Sequence, residues 1–414
     1  MIKFVIEKSS LVKILNKVKP FFEIEGNKTI NQRLAKLSYD NDSGLIKISS
    51  LGQNAVTVSS EGDTDKKFDG GEAIFYFEEM YGWVNSQNCS HISITAKESK
   101  NKKQVNDKNA SDSEKDDSSS IFICGKLNLA SKDKSGTSSK WNIDLFELTE
   151  NKNINFKIIE NKYQSNLSFK INVKELRSSC KKVAIASSKP HNLYSNILFS
   201  NEDDNLAISC TDSIRCAVFK FKNLKFSGDK ILINAISLIK ILSCLDDEEL
   251  SFYYFKEKNC LFVLSDKISF RLIVPPVDSV NKYPNTSMLF SFPYEKAFKA
   301  NASNFKASVT PLKQVNDRCI GLKHEGSEDC ICKSISEYGK SPMTTQFKVD
   351  TYGGNFSNVI AVDHLLELIK VLDGDYIDFY FNKKVFKILD HDCDNFYFFT
   401  LSISSPNYKD FINS

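Results

Sequence analysis

Apolar residues along this chain fall into one arrangement that returns. Between Ile231 and Val274 they read as a strand, a helix and a hairpin. Ala235, Leu238, Ile239, Leu242 and Leu245 stand at helical spacing and give the helix one apolar face. Asn234 precedes the run, where its side chain caps the first turn. The acids from Asp246 to Glu249 end it. Two β-rich runs follow, LSFYYF and CLFVLS, joined by the polar Lys256-Glu257-Lys258-Asn259, which is a hairpin signal.

The same module recurs late in the chain. Val359 to Val362 leads into a helix carrying Leu365, Leu366, Ile369 and Leu372, and Tyr376 to Phe381 forms a hairpin with Val385 to Leu389. A weaker early copy has a strand at Ala73 to Tyr76, a helix over Phe77 to Asn85 and a strand at Ile92 to Ile94. An opening module repeats as well. A strand leads into a helix carrying Leu11, Ile14, Leu15 and Val18, with Ser9 or Ser10 as its cap. Leu167 to Ile171 leads into another, with Val173, Leu176, Cys180, Val183 and Ala184 buried, and a third helix is expected over Phe292 to Phe305 with Pro293 in its first turn. Each third of the chain therefore reads β-α-βββ-β-α-βββ. Repeats this long predict domains in series rather than a solenoid. The expected domains are 1–164, 165–288 and 289–414.

Ala96 to Ser120 and Ser131 to Lys140 change abruptly to Lys, Asn, Asp and Ser. They carry too little apolar surface to offset ordering entropy and are expected as inserted loops in the first third. Pro275 to Asn285 reads as a linker.

At 414 residues the chain suits about two to four domains. Apolar content of 41% and charged content of 26% are those of a soluble globular protein. The net charge of +3 says little about partners, but almost all of the positive charge is lysine, with arginine only at 33, 177, 215, 271 and 318. Eleven scattered cysteines form no disulfide framework and point to a reducing compartment. No run reaches the roughly 20 apolar residues of a membrane span, and the expected location is cytoplasmic.

Four stretches carry a family resemblance. Thr211-Asp212-Ser213-Ile214-Arg215-Cys216-Ala217-Val218 resembles a Thr-Asp-Gly-His-Arg-Leu-Ala-Val motif. Ile231 to Leu245 resembles the strand and helix leading to LMRMLDG, and Val277-Asp278 through Tyr283-Pro284 resembles VDGRFPDY. Val349 to Gly354 with Val362 to Leu372 resembles DVTYSG and the helix after it. In this order and spacing the chain resembles the bacterial sliding clamp, the β subunit of the replicative DNA polymerase, over nearly its whole length. The resemblance implies an α+β fold of three tandem domains, each with two helices packed on antiparallel sheets. It also implies a ring closed by a head-to-tail homodimer around double-stranded DNA.

In such a ring the helices present bases to the hole. Lys13 and Lys17, then Lys174, Arg177 and Lys181, then Lys240, then Lys296 and Lys299 fit that role. Lysine is a flexible point charge that meets phosphate without reading bases, as sliding requires. The resemblance also implies a pocket for a short peptide from the polymerase or clamp loader. It would comprise Tyr194, Thr211, Ser213, Ile214, Arg215, Cys216, Pro284, Met288 and Leu289, with Phe398 and Thr400 from the last strand. Ser213-Ile214 replaces Gly-His, and Cys216 replaces leucine. Ser303 and Asn304 stand where aliphatic dimer contacts are usual. Ser404 to Ser414 extends past the usual end and is expected near the pocket mouth.

Other classes have less support. Asp390-His391-Asp392-Cys393-Asp394 would be the site of a metal-dependent nucleic-acid enzyme, but it reads as a polar turn between strands. Cys330 and Cys332 lack a second ligand pair for zinc. No phosphate loop, nucleophile elbow or HExxH occurs, so no cofactor and no catalysis are expected. The remaining alternative is a clamp-like interaction hub that closes no ring.

Overall fold

The structure is a computed structural model. It describes all residues except 1, 26–30, 41–43, 53, 62–70, 106–120, 149–163, 189–191, 227, 247, 317, 336–340, 405 and 414. The described residues hold eight α-helices: α1 Lys8–Glu25, α2 Phe77–Ser86, α3 Val173–Ala184, α4 Ala235–Cys244, α5 Val277–Lys282, α6 Ala302–Leu312, α7 Val362–Ile369 and α8 Lys409–Asn413. Contacts group the chain into two units, Met1–Val173 with Lys240–Val274, and Lys174–Ile239 with Pro275–Ser414.

Each unit is built on one 12-stranded sheet in which every pairing is antiparallel. In the first unit α1 packs Leu11, Ile14, Leu15 and Val18 away from water. Its Phe22 stacks on Phe77 of α2 at 4.2 Å between ring centres. The first and second thirds are joined here by strand Val56–Glu61, which pairs with Ile268–Ile273 through Val58↔Ile268 and Val56↔Phe270. In the second unit strand Arg215–Lys225 pairs with Cys393–Leu401 through Cys216↔Phe399 and Val218↔Tyr397. The rule is the same twice: the fourth strand of one repeat pairs with the last strand of the next.

Several boundaries differ from the sequence reading. Helix α1 starts at Lys8, directly after strand Lys3–Glu7, and its first N–H is taken by Ser90 O at 2.8 Å, so neither Ser9 nor Ser10 is the cap. Residues 96–105 are strand, because a ladder with Ile121–Lys132 needs backbone groups and no apolar side chains. The rest of that insertion, 106–120, lies outside the described residues. The second insertion shrinks to a turn in which Asp133 Oδ1 accepts from Ser135 Oγ at 2.6 Å and Thr137 N at 2.7 Å, with Gly136 at φ +88. The expected linker, Pro275 to Asn285, contains α5, and a 3-10 helix, Thr286–Ser291, follows directly after it.

The third opening helix lies one element later than expected. Glu295–Asn301 is a strand, and Asn301 caps α6 by accepting from the N–H groups of Ser303 and Asn304, both at 3.1 Å. Pro293 precedes this strand instead of starting a helix. Lys296 and Lys299 are therefore strand residues. Asn234 does cap α4, accepting from Ser237 N at 3.0 Å.

Candidate functional site

The Thr211–Arg215 motif is a tight turn at the start of strand Arg215–Lys225. Asp212 Oδ1 accepts the N–H groups of Ile214 at 3.0 Å and Arg215 at 2.9 Å, and its Oδ2 takes Arg215 Nε at 2.8 Å. Thr211 Oγ1 donates to Arg215 O at 2.7 Å and accepts from Ser213 N at 3.1 Å. Ser213 is held at φ +74, a left-handed position that favours glycine, as the related motif has there. This fold of the turn turns Ile214 outward, 50% exposed.

The Arg215 guanidinium also binds Glu367 of α7. On the same helix His364 Nδ1 lies 3.0 Å from Thr400 Oγ1. Burial, then the neighbouring Arg215 charge, pushes His364 below the ordinary histidine range, so it is neutral at pH 7. Sequence reading missed His364 and Glu367, since an ion pair between Arg215 and a carboxylate 152 positions away leaves no local signal.

The other expected pocket residues separate into two groups. Ile214 and Met288 are exposed, Met288 at 59%, and Leu401, 39% exposed, donates its N–H to Ile214 O at 3.0 Å. Cys216 is buried with Val218 and Phe399, and Leu289 packs on them from the 3-10 helix. Thr211, Phe398 and Thr400 are buried; Phe398, paired with Ala217, faces the opposite side from Phe399. Tyr194 lies 6.5 Å from Tyr283, whose hydroxyl accepts from Thr211 N and donates to Asn196 O, both at 3.1 Å. Pro284 follows directly and is half-buried. These exposed apolar side chains accompany the charged Asp212–Arg215–Glu367 chain.

The expected basic residues also divide. Lys17 is buried and donates to Asp246 at 2.7 Å, and Lys13 reaches the same carboxylate at 3.3 Å. Lys240 is paired with Glu23, which Lys19 also approaches at 3.4 Å. Burial raises the Glu23 carboxyl, but Lys240 and Lys19 outweigh it and hold the group below its ordinary range. On α3, Lys174 and Lys181 are exposed and Arg177 is half-buried. Lys296 and Lys299 are engaged on their strand: Lys296 lies 3.2 Å from Asp378 and 3.9 Å from the Tyr352 ring centre, and Lys299 lies 4.3 Å from that of Tyr376. The exposed lysine of α6 is Lys306, which the misplaced helix hid.

His391 is bound by Asp378 at 2.9 Å. Among the described residues no three His, Cys, Asp or Glu side chains converge as a metal site. None of the eleven cysteines forms a disulfide. No described helix is long and apolar enough to cross a membrane.

Solved structures decide the architecture. A sliding clamp, DNA polymerase III subunit beta, from Pseudomonas aeruginosa bound to griselimycin matches with a TM-score of 0.77 over 98% of this chain and 100% of that one, at 12% identity. The fold is that of the sliding clamps. The clamp from Bacillus subtilis matches at 0.75 and 15% identity over 98% of this chain and 99% of its own. The DNA polymerase III beta subunit from Thermotoga maritima matches at 0.75 and 10% over 98% and 100%. No family model matches the sequence, and no curated protein sequence does. The clamp fold is thus shared while most side chains have changed.

Proposed function

We propose that this chain is a DNA sliding clamp, a non-catalytic processivity factor of the cytoplasm. Two copies, each of three repeats at 1–164, 165–288 and 289–414, close head to tail around duplex DNA. A replicative polymerase and its clamp loader are held through a short peptide seated in a groove at Ile214.

The observation that carries the reading is the strand-pairing rule. The fourth strand of repeat one pairs with the last of repeat two, and the fourth of repeat two with the last of repeat three. Applied once more, the rule pairs the fourth strand of repeat three, Met343–Thr351, with the last strand of repeat one, Ser138–Leu148, in a second copy. Each strand has one side on which its ladder is short among the described residues. Ser138–Leu148 is paired along its length with Ile121–Lys132, but its ladder with Gly71–Tyr76 spans only Leu145 and Phe146. Met343–Thr351 meets strand Glu295–Asn301 only from Val349 to Thr351. Trp141, 48% exposed, and Met343, 38% exposed, lie on the parts of these strands outside the short ladders. Two such contacts related by a twofold axis close a ring.

Lys13, Lys174, Arg177, Lys181, Lys240 and Lys306 are the candidate phosphate contacts. Asp246 and Glu23 neutralise part of this set, which favours a weak grip that salt can loosen while topology retains the ring. Tethering through the groove then raises the local concentration of polymerase, so a modest peptide affinity suffices.

The test is retention on DNA. The protein is loaded by a clamp loader onto nicked circular plasmid, washed at high salt, and the plasmid is then linearised. Retention through the wash and loss on linearisation is the expected result. Release by salt alone would replace the ring with an interaction hub. Griselimycin, bound by the Pseudomonas aeruginosa clamp, is the probe we propose for the groove, and Ile214→Asp is expected to abolish its binding.

A further inference from the structure

The chain continues past strand Cys393–Leu401, and its next three amides are tied to three different segments. Leu401 N–H donates to Ile214 O at 3.0 Å, Ser402 N–H to Lys384 O at 2.8 Å and Ile403 N–H to Val359 O at 2.7 Å. The segment does not stay at the groove as the sequence reading expected. Pro406–Tyr408 and α8 turn onto strands Cys319–His324 and Phe356–Ala361.

Two rings seat this segment. Tyr408, 1% exposed, donates its hydroxyl to Cys319 O and accepts from Ile335 N, both at 3.0 Å. Burial pushes that hydroxyl up to about 12, so it stays a donor at any ordinary pH. Phe411 lies flat against Gly321, where a Cβ would run into its ring, and its carbonyl accepts from Ser357 Oγ at 2.9 Å. Ile403 packs in the same apolar cluster as both rings, with Val359 and Ile331. The residue that ends the groove's lip is thus also part of the seat.

We propose that Tyr408 and Phe411 are positioning residues for the Ile214 groove: their seat over Gly321 latches the lip Leu401–Ile403 in its binding position. The proposal rests on the reading of that groove as a peptide site. Segments after a last strand fray unless tied down. A lip ordered beforehand costs a ligand nothing on binding, whereas a loose one must be ordered by the ligand itself. Groove affinity would therefore respond to side chains that touch no ligand.

The test uses the full chain and two readouts, amide hydrogen exchange and griselimycin titration. Phe411→Ala should speed exchange at Leu401, Ser402 and Ile403 by about tenfold or more, with Phe379 and Ile388 in the sheet unchanged. Griselimycin affinity should fall about three- to tenfold in the same variant. Phe411→Leu should restore most of both. Gly321→Ala, whose added Cβ would displace the ring while Phe411 itself is kept, should reproduce Phe411→Ala. Unchanged exchange at 401–403 in both Phe411→Ala and Gly321→Ala overturns the latch, as does a loss of protection spread over the whole sheet. If the unmodified protein does not bind griselimycin while exchange at 401–403 still responds selectively, the latch stands and the groove reading falls.

Discussion

Lys17 and Asp246 are 229 residues apart in the chain and meet at 2.7 Å. The lysine is buried, and the aspartate also takes Lys13. The hydrogen bond from Lys17, aided by both lysine charges against an opposing effect of burial, holds the Asp246 carboxyl below its ordinary range. A depressed carboxyl stabilises the fold fully above about pH 4 and loses that contribution as pH falls through its folded value. Asp246→Ala should cost about 1–2 kcal/mol at pH 7, less than a fully buried pair because the carboxylate is half-exposed. Thermal melts across pH should show the deficit shrinking in acid.

The basic residues separate by exposure. Lys174→Ala, Lys181→Ala and Lys306→Ala should each reduce the slope of log affinity against log salt by up to about 0.9 for a duplex threaded without ends. Lys296→Ala should leave the slope alone and lower stability by about 1–3 kcal/mol, because buried Asp378 loses its cation. Salt titrations and melts on the same variants separate the two roles.

The two short ladders make a prediction about assembly. Trp141→Lys puts a charge on the part of strand Ser138–Leu148 outside its short ladder and should shift the protein from dimer to monomer in light scattering. Its melting temperature at low concentration should hardly move, since Trp141 is half-exposed within one copy. Retention on circular plasmid should be lost with the dimer.

Ser213 sits at φ +74 without the freedom of glycine. Left-handed backbone costs a non-glycine residue about 1–2 kcal/mol, partly offset by the greater unfolded-state entropy of glycine. Ser213→Gly should therefore raise stability by about 0.5 kcal/mol. Ser213→Val should lower it by about 1–2 kcal/mol, because a β-branched side chain tolerates this region least. Chemical denaturation reads both.

Periodicity carried much of the fold. The faces of α1, α3 and α4 were legible because burial repeats every three or four residues, and the Thr211–Arg215 turn because its chemistry is local. Over Phe292 to Phe305 the same reasoning slipped by one element. Apolar residues in a strand with a bulge after Lys296 run close to helical spacing, and a proline just before them resembles a helix start. Residues 96–105 failed for the opposite reason, since their ladder uses backbone alone.

The sequence by itself determined the number of repeats, the order of elements within each and the position of the Thr211–Arg215 turn. These depend on which side of a short segment faces water, and neighbours in the chain encode that. Only the tertiary structure decided which lysines are spent on Asp246, Glu23 and Asp378, which strand ladders are short, and that Phe411 rests on Gly321. Each of those depends on residues far apart in the chain meeting at a few ångströms, and pairing of that kind has no period to be read.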